Sequence, residues 1–211
     1  MARPKLHDEN LRQRLLEAAT ELVAEKGDTF ALRPLAESLD TSTTAIYSLF
    51  GSRTALLEAV AENAVSSFAE ALSSVRHDDP LIWMLQLAMG YRSWAQASPS
   101  RFHIISDAKV DTEDVRAARA RTTEPLYEAA QAAIDQGYLE GELDDICTLL
   151  FAGVHGYIVL ELSGGIAGGD EGFYTYIDSL FLAHATERGR AHVIEHPALE
   201  LTQQIPVTEL V

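Results

Sequence analysis

The chain has 211 residues, 47% of them hydrophobic, a single cysteine and a formal net charge of −16. That length can bury the core of one domain or of two small ones. One cysteine excludes an intrachain disulfide and a cysteine-rich zinc site, and the longest uninterrupted apolar runs fall well short of the about 20 residues a membrane helix needs. The acidity is unevenly spread: residues 1 to 60 carry 7 basic and 9 acidic side chains, a net of −2, and the remainder carries 9 basic and 23 acidic, a net of −14. The overall charge therefore does not exclude a polyanionic partner for the N-terminal part. Met1-Ala2-Arg3-Pro4-Lys5 leads into a charged stretch without the apolar segment of a secretory leader, so a cytoplasmic location is expected.

Leu11, Leu15, Ala18, Leu22 and Val23 recur at spacings of three and four, which predicts a first helix capped by Asp8 and ended by Gly27. Leu32, Leu35, Ala36 and Leu39 predict a short second helix with Pro34 in its first turn, and Asp40-Thr41 interrupts it. A third helix is expected from about Ser42 to Leu49, and a fourth from an N-cap at Ser52 with Leu56, Leu57, Val60, Ala64, Val65 and Phe68 on one face. Leu81 to Ala97 follows, then a break at Ser98-Pro99, a short piece from Phe102 to Ile105, and a helix from roughly Thr112 to Gln136 ended by Gly137. Asp144 to Leu162 and Gly172 to Arg188 complete the set, separated by a glycine-rich loop over residues 163 to 170, with a ragged tail after His192. No run of alternating β-branched residues occurs, so the expectation is an all-α protein of about nine helices, with no internal repeat.

Three short helices within residues 8 to 50, the last two joined by a tight turn, form the outline of a helix-turn-helix, whose last helix would enter the major groove. In the segment from Thr41 to Phe50, Ile46, Leu49 and Phe50 can face a core while Ser42, Thr43, Thr44, Ala45, Tyr47 and Ser48 project outward. Small hydroxyls allow close approach and can bond phosphates or base edges, and methyl groups can touch thymine. Arg33 and Arg53 fall at the two shoulders where a duplex backbone would pass. The plain alternative is an ordinary helical bundle, which has the same outline.

Residues 11 to 60 resemble the N-terminal domain of the TetR/AcrR family of bacterial regulators. The resemblance rests on Glu25-Lys26-Gly27, Leu32-Arg33-Pro34-Leu35-Ala36-Glu37, Ile46-Tyr47-Ser48-Leu49-Phe50 and Ser52-Arg53-Thr54-Ala55-Leu56-Leu57. It implies that Arg33, Tyr47 and Arg53 contact backbone phosphates and that Ser42, Thr43 and Thr44 lie at the groove. Arg53 stands where the family usually has Lys, Ala31 where it often has a capping Thr or Ser, Asp40 where a turn Gly is common, and Leu49 where His is frequent. Asp40 can adopt the left-handed conformation and favours the start of the next helix, yet its charge repels DNA, so binding of modest affinity with marked salt sensitivity is expected.

The resemblance divides the chain into a DNA-binding domain over 1–52 and a ligand-binding and dimerisation domain over 53–211. The stretch Phe151-Ala152-Gly153-Val154-His155-Gly156-Tyr157 looks like the His-Gly-containing helix of one ligand-domain subgroup, with Phe151 where that subgroup tends to carry Trp. The last two long helices carry Ile146, Leu150, Tyr157, Ile158, Phe173, Ile177, Leu180 and Phe181 beyond the needs of one small core, and in the family such helices pair with a second copy. A two-fold dimer places two recognition helices about 34 Å apart and implies a pseudo-palindromic operator. Trp83, Leu87, Tyr91, Trp94, Phe102, His103, Tyr127 and His155 are the expected lining of a small-molecule chamber, although aromatics at helical spacing also serve as plain core. The expected function is thus a ligand-responsive repressor, with no cofactor and no metal.

Two other classes are weighed against it. An enzyme could use His103 with Asp107, four residues apart, and Ser106 nearby, but no nucleophile elbow, phosphate-cradling loop or dinucleotide fingerprint is present. A metal site could draw on His184, His192, Glu195 and His196, or on Glu161 near His155, but these read more simply as solvated histidines, and Cys147 as a small buried apolar group. A ligand-binding dimer without a DNA role would have no use for Arg33, Tyr47 and Arg53.

Overall fold

Ten α-helices and one short 3₁₀ turn account for the regular structure of a computed structural model describing residues 5–107, 111–198 and 200, without the side chains of 5–8 and 107. The fold class is all-α. In chain order the helices are α1 (Lys5–Lys26), α2 (Leu32–Ser38), α3 (Thr43–Phe50), α4 (Arg53–Ser73), α5 (Pro80–Ala97), α6 (Pro99–Asp107), α7 (Glu113–Asp135), α8 (Leu143–Leu162), α9 (Asp170–Leu182) and α10 (Glu187–Glu195). Asp8 lies inside α1 rather than capping it: apolar periodicity marks a buried face, which begins at Leu11, and the helix itself starts six residues earlier. Gly27, with φ +66°, ends α1 as expected. The short piece predicted at Phe102 to Ile105 is the nine-residue α6, and α7 runs unbroken through Pro125.

The chain packs as two compact units. The first holds the described residues of 1–69 and 98–120, more than the three-helix segment alone; the second holds those of 70–97 and from 121 onward. In the first unit Leu15, Leu16 and Ala19 of α1 meet Leu35 and Ala36 of α2, Ile46 and Phe50 of α3, and Leu56 and Val60 of α4, with Phe30 between α1 and α2. Side chains at spacings of three and four make this one continuous apolar seam. Leu15, Leu35, Ile46 and Leu56 are fully buried, so short helices that would not persist alone are held by their shared core.

In the second unit the predicted helix from Gly172 to Arg188 is two helices. Ala183 to Ala185 leaves the helical path because the backbone there bonds to a turn some 45 residues earlier: the His184 carbonyl accepts from Glu140 N–H at 2.9 Å, and the Thr186 N–H donates to the Tyr138 carbonyl at 3.1 Å. Thr186 then starts α10 anew, its Oγ1 accepting from Gly189 N–H at 3.1 Å and donating to the Gly137 carbonyl at 2.7 Å. The start of α10 lies so close to this turn that a Cβ on Gly189 would meet the Tyr138 carbonyl oxygen at 2.0 Å. The described chain is helical to Glu195, past the point where a ragged tail was expected; residues 201–211 lie outside the described residues.

Two expectations about apolar surface are corrected. Ile146, Leu150, Ile158, Phe173, Ile177, Leu180 and Phe181 are buried within the chain itself, because α8 packs on both α5 and α9. Gly153 admits this close packing: a Cβ there would stand 2.9 Å from Leu180. The apolar residues that α8 exposes are instead Phe151, Val159, Leu160 and Leu162. Moreover, although no uninterrupted apolar run reaches that length, α8 is long and apolar enough by length and composition to cross a bilayer. It carries Asp144, Asp145, His155 and Glu161, and its face of Ile146, Cys147, Leu150, Val154 and Ile158 is packed inside the protein.

Candidate functional site

The first unit presents one neutral helix face. Between α2 and α3 the chain reverses at Asp40, whose φ of +51° is the left-handed conformation expected of it, and Thr41 N–H closes the turn on the Ala36 carbonyl at 2.9 Å. Ser42 caps α3 by accepting from Ala45 N–H at 3.2 Å, and Gly51, with φ +80°, closes its other end onto the Tyr47 carbonyl. Ile46 and Phe50 point inward, which turns Thr44, Tyr47 and Ser48 to solvent on a shared face with Thr43 and Ala45 half-buried beside them. Tyr47 is 50% exposed, unusual for a large ring with a core available beneath it.

The two shoulder arginines differ in their attachments. Arg33 stands in solvent, joined along its own helix to Glu37 at 2.7 Å. Arg53 donates to the Asp28 carbonyl and lies 4.7 Å over the Phe30 ring, so it also fastens α4 to the 3₁₀ turn after α1. Ser52 caps α4, accepting from Ala55 N–H at 3.0 Å.

The second unit turns its polar groups inward. Tyr91 on α5 and His155 on α8 meet at 2.6 Å through Tyr Oη and His Nδ1, and Phe151 stacks beside both rings with centroid separations of 6.1 and 6.0 Å. Burial pushes the Tyr91 phenol well above its ordinary range and lowers His155 below 6.5, so near neutral pH the pair is uncharged. One position further along α5, Arg92 grips Glu161 with two nitrogens at 2.8 and 2.7 Å and reaches Asp170 at 2.7 Å, while its guanidinium lies 4.9 Å over Phe173. Glu161 also accepts from Gly169 N–H at 3.0 Å. The Arg92 hydrogen bonds hold the Glu161 carboxyl below its usual range and, with the one Arg92 donates to Asp170, raise the guanidinium above its own. This network closes the glycine-rich loop between α8 and α9. Its sequence signal was an arginine within a helix apolar on every side, beside the singled-out Tyr91.

The remaining residues expected to line a chamber lie as follows on their helices. Leu87 and Trp94 are buried on α5 with Tyr91. Trp83 is buried too, but its indole N–H donates to the Val75 carbonyl at 2.8 Å and Arg76 covers its ring, the pattern of a satisfied core residue. Tyr127 is at the surface, where a hydrogen bond with Asp144 raises its phenol. Phe102 and His103 belong to the first unit: Phe102 is buried there, and His103 borders a cavity of about 140 Å³ walled by Val23, Leu57, Val60, Ala61 and Ile104.

The other candidates take ordinary places. Ser106 Oγ donates to the Phe102 carbonyl, and the Asp107 side chain lies outside the described residues. His192 sits 3.3 Å from Asp79 with its ring 5.0 Å from that of His196, and His184 contacts the Glu140 carbonyl. Among the described residues no group of three or more His, Cys, Asp or Glu is placed to hold a metal ion. Cys147 is buried, which pushes its thiol up to about 11.

A short capped helix with a polar outer face, set by a tight turn on the core shared by α1 to α4, gives the first unit a helix-turn-helix of the kind that binds DNA. Residues 15–60 match the family of bacterial regulatory proteins of the tetR type, and residues 84–180 match the tetracyclin repressor-like C-terminal domain. The chain belongs to the TetR family and has the fold of a DNA-binding transcriptional regulator. Solved structures similar to it include a protein of unknown function from Rhodococcus sp. RHA1, 25% identical over 83% of this chain and 96% of that one, TM-score 0.73. A TetR family transcription regulator from Marinobacter aquaeolei VT8 is 19% identical over 87% of this chain and all of its own, TM-score 0.73. The regulator PfmR from Thermus thermophilus is 21% identical over 80% of this chain and 97% of its own, TM-score 0.68. No curated protein matches the sequence.

Proposed function

We propose that this protein is a ligand-responsive repressor acting in the cytoplasm, which binds a pseudo-palindromic operator as a homodimer and leaves it when a small molecule enters the C-terminal region. The observation that carries the DNA part of this reading is the outward face of α3, where Thr44, Tyr47 and Ser48 are exposed over the buried Ile46 and Phe50. Such a face has no packing role, and its hydroxyls and ring suit phosphate and base contacts. Within the set Arg33, Ser42, Thr43, Thr44, Tyr47 and Arg53, Arg33 and Tyr47 are the freest to reach a duplex. Ser42 and Arg53 contribute in part by holding helix ends.

Support for the dimer comes from α8, which leaves Phe151, Val159, Leu160 and Leu162 at the surface. Support for the effector comes from the neutral Tyr91–His155 pair with Phe151 beside it. Aromatic walls with a few convergent polar groups are what small-molecule sites contain. Release requires the effector to bind the off-DNA form more tightly than the DNA-bound one, since equal affinity shifts nothing.

The test is a salt series of binding to the promoter region of the protein's own gene, with Tyr47→Ala plus Arg33→Ala as control. Both side chains are exposed, so the control folds. Specific binding that weakens steeply with salt and disappears in the control is the expected result. A folded dimer that does not bind at low salt overturns the repressor reading and leaves a ligand-binding dimer.

A further inference from the structure

The helix that faces outward in the first unit lacks every side chain able to make a bidentate base contact. α3 reads Thr-Thr-Ala-Ile-Tyr-Ser-Leu-Phe, with no Arg, Lys, Asn, Gln, Asp or Glu. In the major groove guanine is read chiefly by bidentate Arg or Lys and adenine by Asn or Gln, whereas a hydroxyl both donates and accepts and so discriminates little. The base feature that an uncharged face of methyl groups and hydroxyls can distinguish is the C5-methyl of thymine. Thr44 is exposed at the centre of that face, one turn before Ser48, while Thr43 and Ala45 are half-buried on either side. Among the described residues the nearby charged groups stand off α3 itself. Arg33 stands on α2 rather than α3, where it is left for phosphate contact, and Asp40 and Glu37, both exposed, are acceptors that meet phosphate unfavourably.

On the operator reading above, we propose that α3 recognises its half-site through thymine methyl groups, with the Thr44 methyl as the principal contact, and makes no bidentate contact with guanine. Sequence preference then rests on apolar contact at one or two thymines together with the ease of deforming the site, and affinity rests on phosphate contacts.

The experiment selects bound duplexes from a randomised library with the full-length protein, then replaces half-site thymines singly by deoxyuridine, which removes only the methyl, and guanines by 7-deazaguanine, which removes the N7 acceptor. Wild type is expected to lose about fourfold in affinity at the contacted thymine, the value of one buried methyl group, and to be indifferent to 7-deazaguanine. Thr44→Val, which keeps a methyl, retains the deoxyuridine penalty; Thr44→Ser, which keeps only the hydroxyl, binds thymine and deoxyuridine sites alike. Sensitivity to 7-deazaguanine, absence of a deoxyuridine penalty in wild type, or a full deoxyuridine penalty in Thr44→Ser overturns the proposal while the operator reading stands. If the folded protein enriches no sequence, the operator reading fails and takes the proposal with it.

Discussion

Two arginines show how differently the two units use charge. Arg33 in the first unit lies in solvent with its side chain 84% exposed, paired along its own helix to Glu37; Arg92 in the second is 9% exposed and held by Glu161 and Asp170 from α8 and α9. An exposed pair of the first kind contributes little to stability and leaves the guanidinium available to a partner. In the second kind Arg92 and Glu161, 9% and 11% exposed, have already replaced water with protein groups, so removing one strands the other, while Asp170 stays 74% exposed. The first unit thus keeps Arg33 and the α3 hydroxyls outside, as the proposed contact with a duplex requires, and the second keeps Arg92 and Glu161 inside among α5, α8 and α9.

The comparison is broken most forcefully at Arg92. Arg92→Ala leaves Glu161 buried without its partner and is expected to cost about 3–5 kcal/mol, read as a lower midpoint in urea unfolding, while Arg33→Ala stays within about 0.5 kcal/mol of wild type. Equal effects of the two substitutions would remove the distinction between the units. Gly189→Ala is next. Its Cβ would drive α10 off the Tyr138 carbonyl, so a loss of about 1–3 kcal/mol is expected, with α10 amides losing hydrogen-exchange protection before those of α3.

The smallest effect is a pH dependence confined to the second unit. His155 has its folded pKa depressed below 6.5 by burial, so as pH falls through 6.5 the unfolded chain takes up a proton before the folded one does. Stability is intact above that value and declines as pH drops toward the folded pKa. In thermal melts His155→Gln should flatten the decline just below pH 6.5; an unchanged slope would mean that another group carries it. Glu161, held below 4.5 chiefly by Arg92, adds its own loss only at lower pH, through its folded pKa.

The first unit was legible from its residues because its determinants are local. Pro34 in a first turn, Asp40 at a reversal, Ser42 and Ser52 as caps and Gly27 and Gly51 as helix ends each act within a few residues of where they stand. The three- and four-residue spacing of Leu15, Ile46 and Phe50 likewise told inside from outside on α1 and α3. The second unit was less legible because periodicity names an apolar face without naming its partner. Ile146, Ile158, Phe173 and Ile177 suit a subunit interface and an internal core equally well, and the proximity of α8 to α5 and α9 puts them in the core.

Helical class, the position of α3 and the neutrality of its surface follow from composition and short-range pattern, since caps, turns and amphipathic spacing are properties of neighbours in sequence. The break between α9 and α10, the closure of Arg92 on Glu161 across 69 residues, and the meeting of Tyr91 with His155 across 64 depend on which helices come to lie together. The free energy of those contacts comes from burying groups far apart in sequence, and no local rule specifies that pairing.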